Sequence, residues 1–272
     1  MVYFLSFMTS NNRSRNTKIN QRLLSAPTGA VLPSKWLKRQ GISVKLAEYY
    51  TKSGWLHRVG KGAFTLQPGA PDWLGAVYGV QQMEDNSVHP GGRTALELAS
   101  LSHFLTLGDE APLYLFCRTQ ERLPAWFGRQ PWAERAHLVR TNFLPAGIGL
   151  RQHRTNSFAV TISAPERAAL EFLYQQPLDA EAYEHARLVF EGLGTLRPAV
   201  VQELLEQCSS VKVKRLFLHL AELHGHPWVD DLNLAKVPLG SGKRVLFKGG
   251  RRDPKYLITV PAEPAPVPDD AP

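Results

Sequence analysis

Gly41, Gly54 and the Gly60-Lys61-Gly62 triplet cut residues 30–66 into two short helical patterns and two short strands, and this punctuation constrains the fold more than any other feature of the chain. Pro33 and Ser34 suit a helix start, with a fixed φ and a side-chain acceptor for orphan amides, and Gly41 suits a left-handed stop. The first helix is therefore expected over about Lys35 to Gln40. Ser43 is placed to cap a second helix that runs to about Ser53, with Leu46, Ala47 and Tyr50 on one buried face. Gly54 ends it, and residues 55–59 (WLHRV) and 63–66 (AFTL) read as two strands around the glycine turn. Two such helices followed by a hairpin make a winged helix-turn-helix.

Charge singles out the same region. Residues 1–70 hold eleven Lys and Arg against one acid, Glu48, whereas residues 71–210 hold eleven Arg and sixteen acids. Residues 211–260 return to ten bases against four acids, within a formal net charge of +8. A basic module joined to a mildly acidic body carries the electrostatic footprint of a polyanion-binding surface at one end. In a helix-turn-helix the second helix, about 15 Å long for about ten residues, enters the major groove while the first helix and the wing hold phosphates. Lys35, Lys38 and Arg39 on the first helix and Arg58 and Lys61 on the wing suit the phosphate role. Val44, Lys45, Glu48, Tyr49 and Lys52, with Ser43 at the helix start, suit the groove face. The bland alternative is a winged helix used for protein contacts, its lysines merely solvated.

The whole chain reads as α+β: an N-terminal winged helix-turn-helix over 17–70, then a larger mixed α/β domain over 71–260. Residues 17–25 supply a supporting helix. Beyond Pro68, Gly69 and Pro71, helices are expected over about 72–82, 93–105, 165–175, 180–191, 197–207 and 212–224. Strands are expected over 113–117 and 157–162, and over 243–248 and 256–260 joined by GGRRDP. Residues 1–16 and 261–272 read as a disordered leader and tail. MVYFLSFM places its apolar residues before its charges, the reverse of a signal peptide. No apolar run approaches a membrane span, and Cys117 and Cys208 form no disulfide framework, so the expected compartment is the cytoplasm and no membrane partner is expected.

Other motifs are weaker. LGSGKR (239–244) resembles a phosphate-binding loop, but Val237 and Arg244 stand where that loop needs Gly and Ser or Thr. His224-Gly225-His226 lacks a completing ligand at metal-site spacing, so no metal or cofactor is expected. Glu166 and Glu171 read as a solvated helix face with internal ion pairs. No nucleophile arrangement is recognisable, and no catalytic residue is assigned. A second basic stripe, Lys212, Lys214 and Arg215 followed by Lys243, Arg244, Lys248, Arg251 and Arg252, is compatible with a further polyanion surface or with ordinary exposed faces.

The helix-turn-helix together with HPGGRTALELASLSHFL (89–105), ISAPERAALEFL (162–173), VKVKRLFLHLAE (211–222) and LGSGKRVLFKGGRRDPKYLITVP (239–261) resembles the AbiEi family of antitoxins from bacterial type IV toxin–antitoxin systems. The resemblance spans about residues 17–261. It implies a winged helix that represses its own operon by binding inverted repeats in promoter DNA, and a C-terminal domain needed for antitoxicity. It also implies a nucleotidyltransferase-like toxin as functional partner, counteracted without a stable complex. A stand-alone winged-helix regulator with a ligand- or partner-sensing C-terminal domain is the alternative. A nucleic-acid-processing enzyme using His224 and His226 is a third.

Overall fold

The computed structural model describes residue 23 and residues 25–83, 86–101, 111–177 and 179–261. The described residues form two compact units that do not follow sequence order: those within 1–89, 116–140 and 152–161 make the first, and those within 90–115, 141–151 and 162–272 the second. The fold is α+β, with several small sheets among its helices.

The first unit opens with Leu23, in helical conformation, then β1 (Leu32–Pro33), α1 (Ser34–Arg39), α2 (Val44–Lys52), β2 (His57–Gly60), β3 (Ala63–Thr65) and α3 (Trp73–Gln81). The sheet order is β1-β3-β2 and all pairs are antiparallel, with a bulge in β2 between Arg58 and Gly60. Gly41 and Gly54 adopt φ of 83° and 78°, the left-handed stops that end α1 and α2. The start of α1 differs from expectation. Its N-cap is Pro33 without a side-chain bond, and the Ser34 amide donates to the Gly62 carbonyl at 2.8 Å, so the wing holds that amide in place of a serine cap. Strand β1 is unforeseen, because two residues carry no period-2 signal. Leu32, Trp36, Leu37, Ile42, Ala47, Tyr50, Leu56 and Phe64 form the core with Leu23, and Tyr78 and Phe158 pack against it.

Helix α3, expected as the first element after the winged helix, packs on β1. Asp72 caps it, accepting from the Gly75 amide at 2.7 Å, and the Val31 amide donates to the Gly75 carbonyl at 3.0 Å. Gly75 and Gly79, one turn apart, present bare backbone to Gly29 and Val31 in the segment just ahead of β1.

The chain continues through β4 (His89–Pro90), α4 (Gly92–Leu98), β5 (Leu113–Cys117), β6 (Ala136–Arg140), β7 (Leu150–Arg154) and β8 (Ala159–Ser163). Then come α5 (Pro165–Gln175), α6 (Ala180–Glu191), α7 (Pro198–Gln207), α8 (Val211–Leu223), β9 (Arg251–Arg252) and β10 (Thr259–Val260). The sheet orders are β4-β5-β6, β7-β8 and β10-β9. Leu170, Phe172, Phe190, Leu204, Val213 and Phe217 are buried in the second unit, each fully buried apolar side chain worth about 1.5–3 kcal/mol.

Two expectations there are corrected. Helix α4 stops at Leu98 with Ala99 as its cap and Ser100 at φ 56°, and the expected continuation beyond Leu101 lies outside the described residues. Residues 243–248 form no ladder, only a single parallel bridge from Arg244 to Ile258. The hairpin partner of β10 is instead Arg251–Arg252, inside the segment expected to be a turn. Gly249, at φ 73°, bends the chain ahead of β9, and Asp253 closes the hairpin by accepting from the Tyr256 amide at 2.6 Å. The expected leader and most of the expected tail lie outside the described residues, as does most of the helix expected over 17–25.

Candidate nucleic-acid interface

Helix α2 is organised from its cap. Ser43 Oγ accepts from the Leu46 amide at 3.2 Å, which fixes the first turn. The 3.6-residue period then turns Ala47 and Tyr50 into the core and leaves Val44, Lys45, Glu48, Tyr49 and Lys52 in solvent. Val44 is 70% exposed and Tyr49 64%. Lys52 sits in the last turn, where a cation complements the helix dipole.

Every residue expected to meet DNA is on the surface of this unit. Lys35, Lys38 and Arg39 are exposed on α1, Arg58 on β2 and Lys61 in the turn of the wing. Two are tied down. Arg39 Nη2 donates to the Gln82 carbonyl at 2.6 Å, at the end of α3. The Arg58 guanidinium lies over the Phe64 ring, 5.1 Å from its centroid. Between α1, α2 and the wing is a cleft of about 500 Å³ whose lining includes Lys35, Lys38, Val44, Glu48 and Arg58. Trp55, just after α2, is also exposed, and its ring is tilted against Tyr50 at 6.1 Å between centroids. Its sequence context, in a segment that reads as strand, gave no such signal.

The second basic stripe does not form one surface. Lys214 and Arg215 are each 2% exposed, and burial lowers the pKa of both. Arg215 donates to the carbonyls of Leu239 at 2.9 Å, Gly242 at 2.7 Å and Gly240 at 3.0 Å. It clamps the LGSGKR turn from within. Helix α8 is buried continuously from Val213 to Leu218, so its amphipathic period does not separate an inside from an outside. Lys212 is half-buried, and Lys243, Arg244, Lys248, Arg251 and Arg252 remain exposed.

The acids of α5 are also inside. Glu171 is 0% exposed; it accepts from Arg167 Nε at 2.7 Å, Ser163 Oγ at 2.6 Å and the Gly92 amide at 3.1 Å. Arg167 Nη1 also donates to the Pro145 and Ile148 carbonyls at 2.7 and 2.9 Å. The solvated face expected here is a buried network, because Arg167 reaches back to loop carbonyls that would otherwise lack donors. The motifs HPGGRT and ISAPERAALEFL therefore meet through Glu171.

The histidines serve local structure. His219 lies between the Tyr183 hydroxyl and Asp253 Oδ2, 2.9 Å from each. Burial pushes the Tyr183 phenol up to about 12. His226 Nε2 is 2.6 Å from the Phe190 carbonyl, and His224 stacks on His226. Among the described residues, no group of three His, Cys, Asp or Glu side chains is arranged to hold a metal, and no helix is long and apolar enough to cross a membrane.

Residues 15–107 match the family model described as the N-terminal domain of the AbiEi antitoxin transcriptional regulators. Residues 110–261 match the model described as transcriptional regulator, AbiEi antitoxin, type IV toxin–antitoxin system. Among solved structures, the RV2827C protein from Mycobacterium tuberculosis is similar, with a TM-score of 0.52 and 15% identity over 84% of this chain and 85% of that one. At that identity the likeness is one of fold. No curated protein sequence matches the chain.

Proposed function

The chain belongs to the AbiEi family of transcriptional regulators, the antitoxins of type IV toxin–antitoxin systems, and from that premise we propose that it represses its own operon by laying α2 in the major groove of promoter DNA. The observation that carries this reading is the two-sidedness of α2: Ala47 and Tyr50 are buried, while Lys45, Tyr49 and Lys52 stand in solvent. Around them Lys35, Lys38, Arg39, Arg58 and Lys61 supply the positive rim that phosphates require. Inverted repeats in the promoter would take two protomers, one on each half-site.

The second unit, which shows no comparable exposed basic helix face among its described residues, takes the antitoxin role. It counteracts a nucleotidyltransferase-like toxin encoded beside it, in the cytoplasm, without forming a stable complex and without a catalytic step of its own.

Titration of promoter duplex against the full-length chain tests the DNA role. The observed affinity should fall with salt at a slope near −0.9 per phosphate neutralised. A Lys45→Glu, Lys52→Glu variant should lose promoter binding and repression, keep its thermal transition, and still protect cells that express the adjacent toxin. A variant that binds promoter as tightly as the parent would overturn the placement of α2. Loss of protection together with loss of repression would overturn the division of roles.

A further inference from the structure

Within the DNA-binding reading, on which this inference rests, one exposed residue has no electrostatic purpose. Val44 is the first residue of α2 and is 70% exposed. It stands among cations, with Lys35, Lys38 and Arg58 lining the same cleft. An isopropyl group has no donor or acceptor, so it can neither hold a phosphate nor answer a polar base edge. The major groove offers one apolar feature, the 5-methyl group of thymine. A recognition helix presents its N-terminal residues to base edges, and that is where Val44 stands.

Two local features make the contact selective. The β-branched side chain is stiff at χ1, and the Ser43 bond to the Leu46 amide fixes the turn that carries it. Glu48, one turn on and on the same helix face, repels phosphate, which turns this face toward base edges and away from the backbone. We propose that Val44 is a specificity-determining residue that selects thymine, through its methyl group, at a fixed position in each half-site.

The test uses full-length protein and a duplex selected from a random library. Each thymine of the selected site is replaced in turn by deoxyuridine, which removes only the methyl. One replacement per half-site should weaken binding about fourfold, the effect of exposing one methyl-sized group worth ~0.8 kcal/mol. A Val44→Ser variant should lose that discrimination and bind the thymine and deoxyuridine duplexes equally. Indifference of the parent to every replacement would overturn the thymine contact and leave the DNA-binding reading standing. Persistence of the penalty in Val44→Ser would overturn it too. Absence of salt-dependent binding to any duplex would overturn both.

Discussion

The amide of Val31 donates to the carbonyl of Gly75 at 3.0 Å, fastening α3 backbone to backbone onto the segment that enters β1. A Cβ on Gly75 would lie 2.0 Å from the Gly29 carbonyl oxygen, and one on Gly79 would lie 2.7 Å from the Val31 carbonyl oxygen. In an ordinary helix interior Gly→Ala gains about 0.5–1 kcal/mol. Here Gly75→Ala must push the helix away from the Gly29 backbone, so a net loss of about 1–3 kcal/mol is expected. Calorimetry should show a lower Tm for Gly75→Ala. A higher Tm would mean that α3 does not press on the Gly29 backbone in this way.

Glu171 answers three elements at once: Arg167 on its own helix, Ser163 on β8 and the Gly92 amide at the start of α4. Glu171→Ala leaves the Arg167 guanidinium buried without its counter-charge and should cost about 3–5 kcal/mol. Glu171→Gln keeps an acceptor for Ser163 and Gly92 and should cost less. Denaturant unfolding of the two variants would rank them.

Glu166 feels opposed influences. Burial raises its pKa, hydrogen bonds from the Arg197 side chain and amide lower it, and the net direction is down. A carboxylate depressed in the folded state stabilises above its unfolded value of about 4.3, and that contribution disappears as pH falls through the folded value. Glu121 is also depressed on balance, with hydrogen bonds from Ser87 and Arg118 outweighing its burial. Stability should therefore drop below about pH 4. Arg197→Ala should cost about 1–2 kcal/mol at pH 7, less than a fully buried pair, because the Arg197 side chain is 62% exposed and screened by solvent. Its acid limb should be shallower than the parent's, as seen in Tm plotted against pH.

What the chain's pattern revealed and what it concealed divide along physical lines. Helix α2 was legible because a cap, a stop and a 3.6-residue period agree within a dozen residues, from Ser43 to Gly54. The exposure of Lys35, Lys38, Arg39, Lys45, Lys52, Arg58 and Lys61 followed from that frame. Strand β1 was not legible, since Leu32 and Pro33 pair only because β3 returns beside them. Gly75 and Gly79 lie within the expected helix, but their close approach to Gly29 and Val31 depends on the fold. Arg215 and Glu171 misled for one reason: charged side chains signal solvent only when no buried partner awaits them, and their partners include the Gly92 amide, 79 residues from Glu171 in sequence, and the loop carbonyls of Leu239, Gly240 and Gly242.

Arg215 offers a direct test of that lesson. Its fork spans the Leu239, Gly240 and Gly242 carbonyls from inside the second unit. Lysine carries the same charge as a single point and cannot satisfy all three. Arg215→Lys should lose about 2–4 kcal/mol, the scale of leaving buried acceptors unanswered. Hydrogen exchange should speed up around residues 239–244 before it does in α5.

The phosphate rim and the groove face should separate in a salt titration. Lys35, Lys38 and Lys61 lie on α1 and the wing, flanking α2, and their proposed contacts carry no base identity. Replacing any one with Ala should weaken binding about equally on selected and unselected duplexes and make the salt slope shallower by about 0.9. Lys45 and Tyr49, on the solvent face of α2, should instead change which sequences are preferred. A Lys61→Ala variant that altered base preference while keeping the parent's slope would place the wing in the groove and α2 on the backbone, the reverse of the docking proposed here.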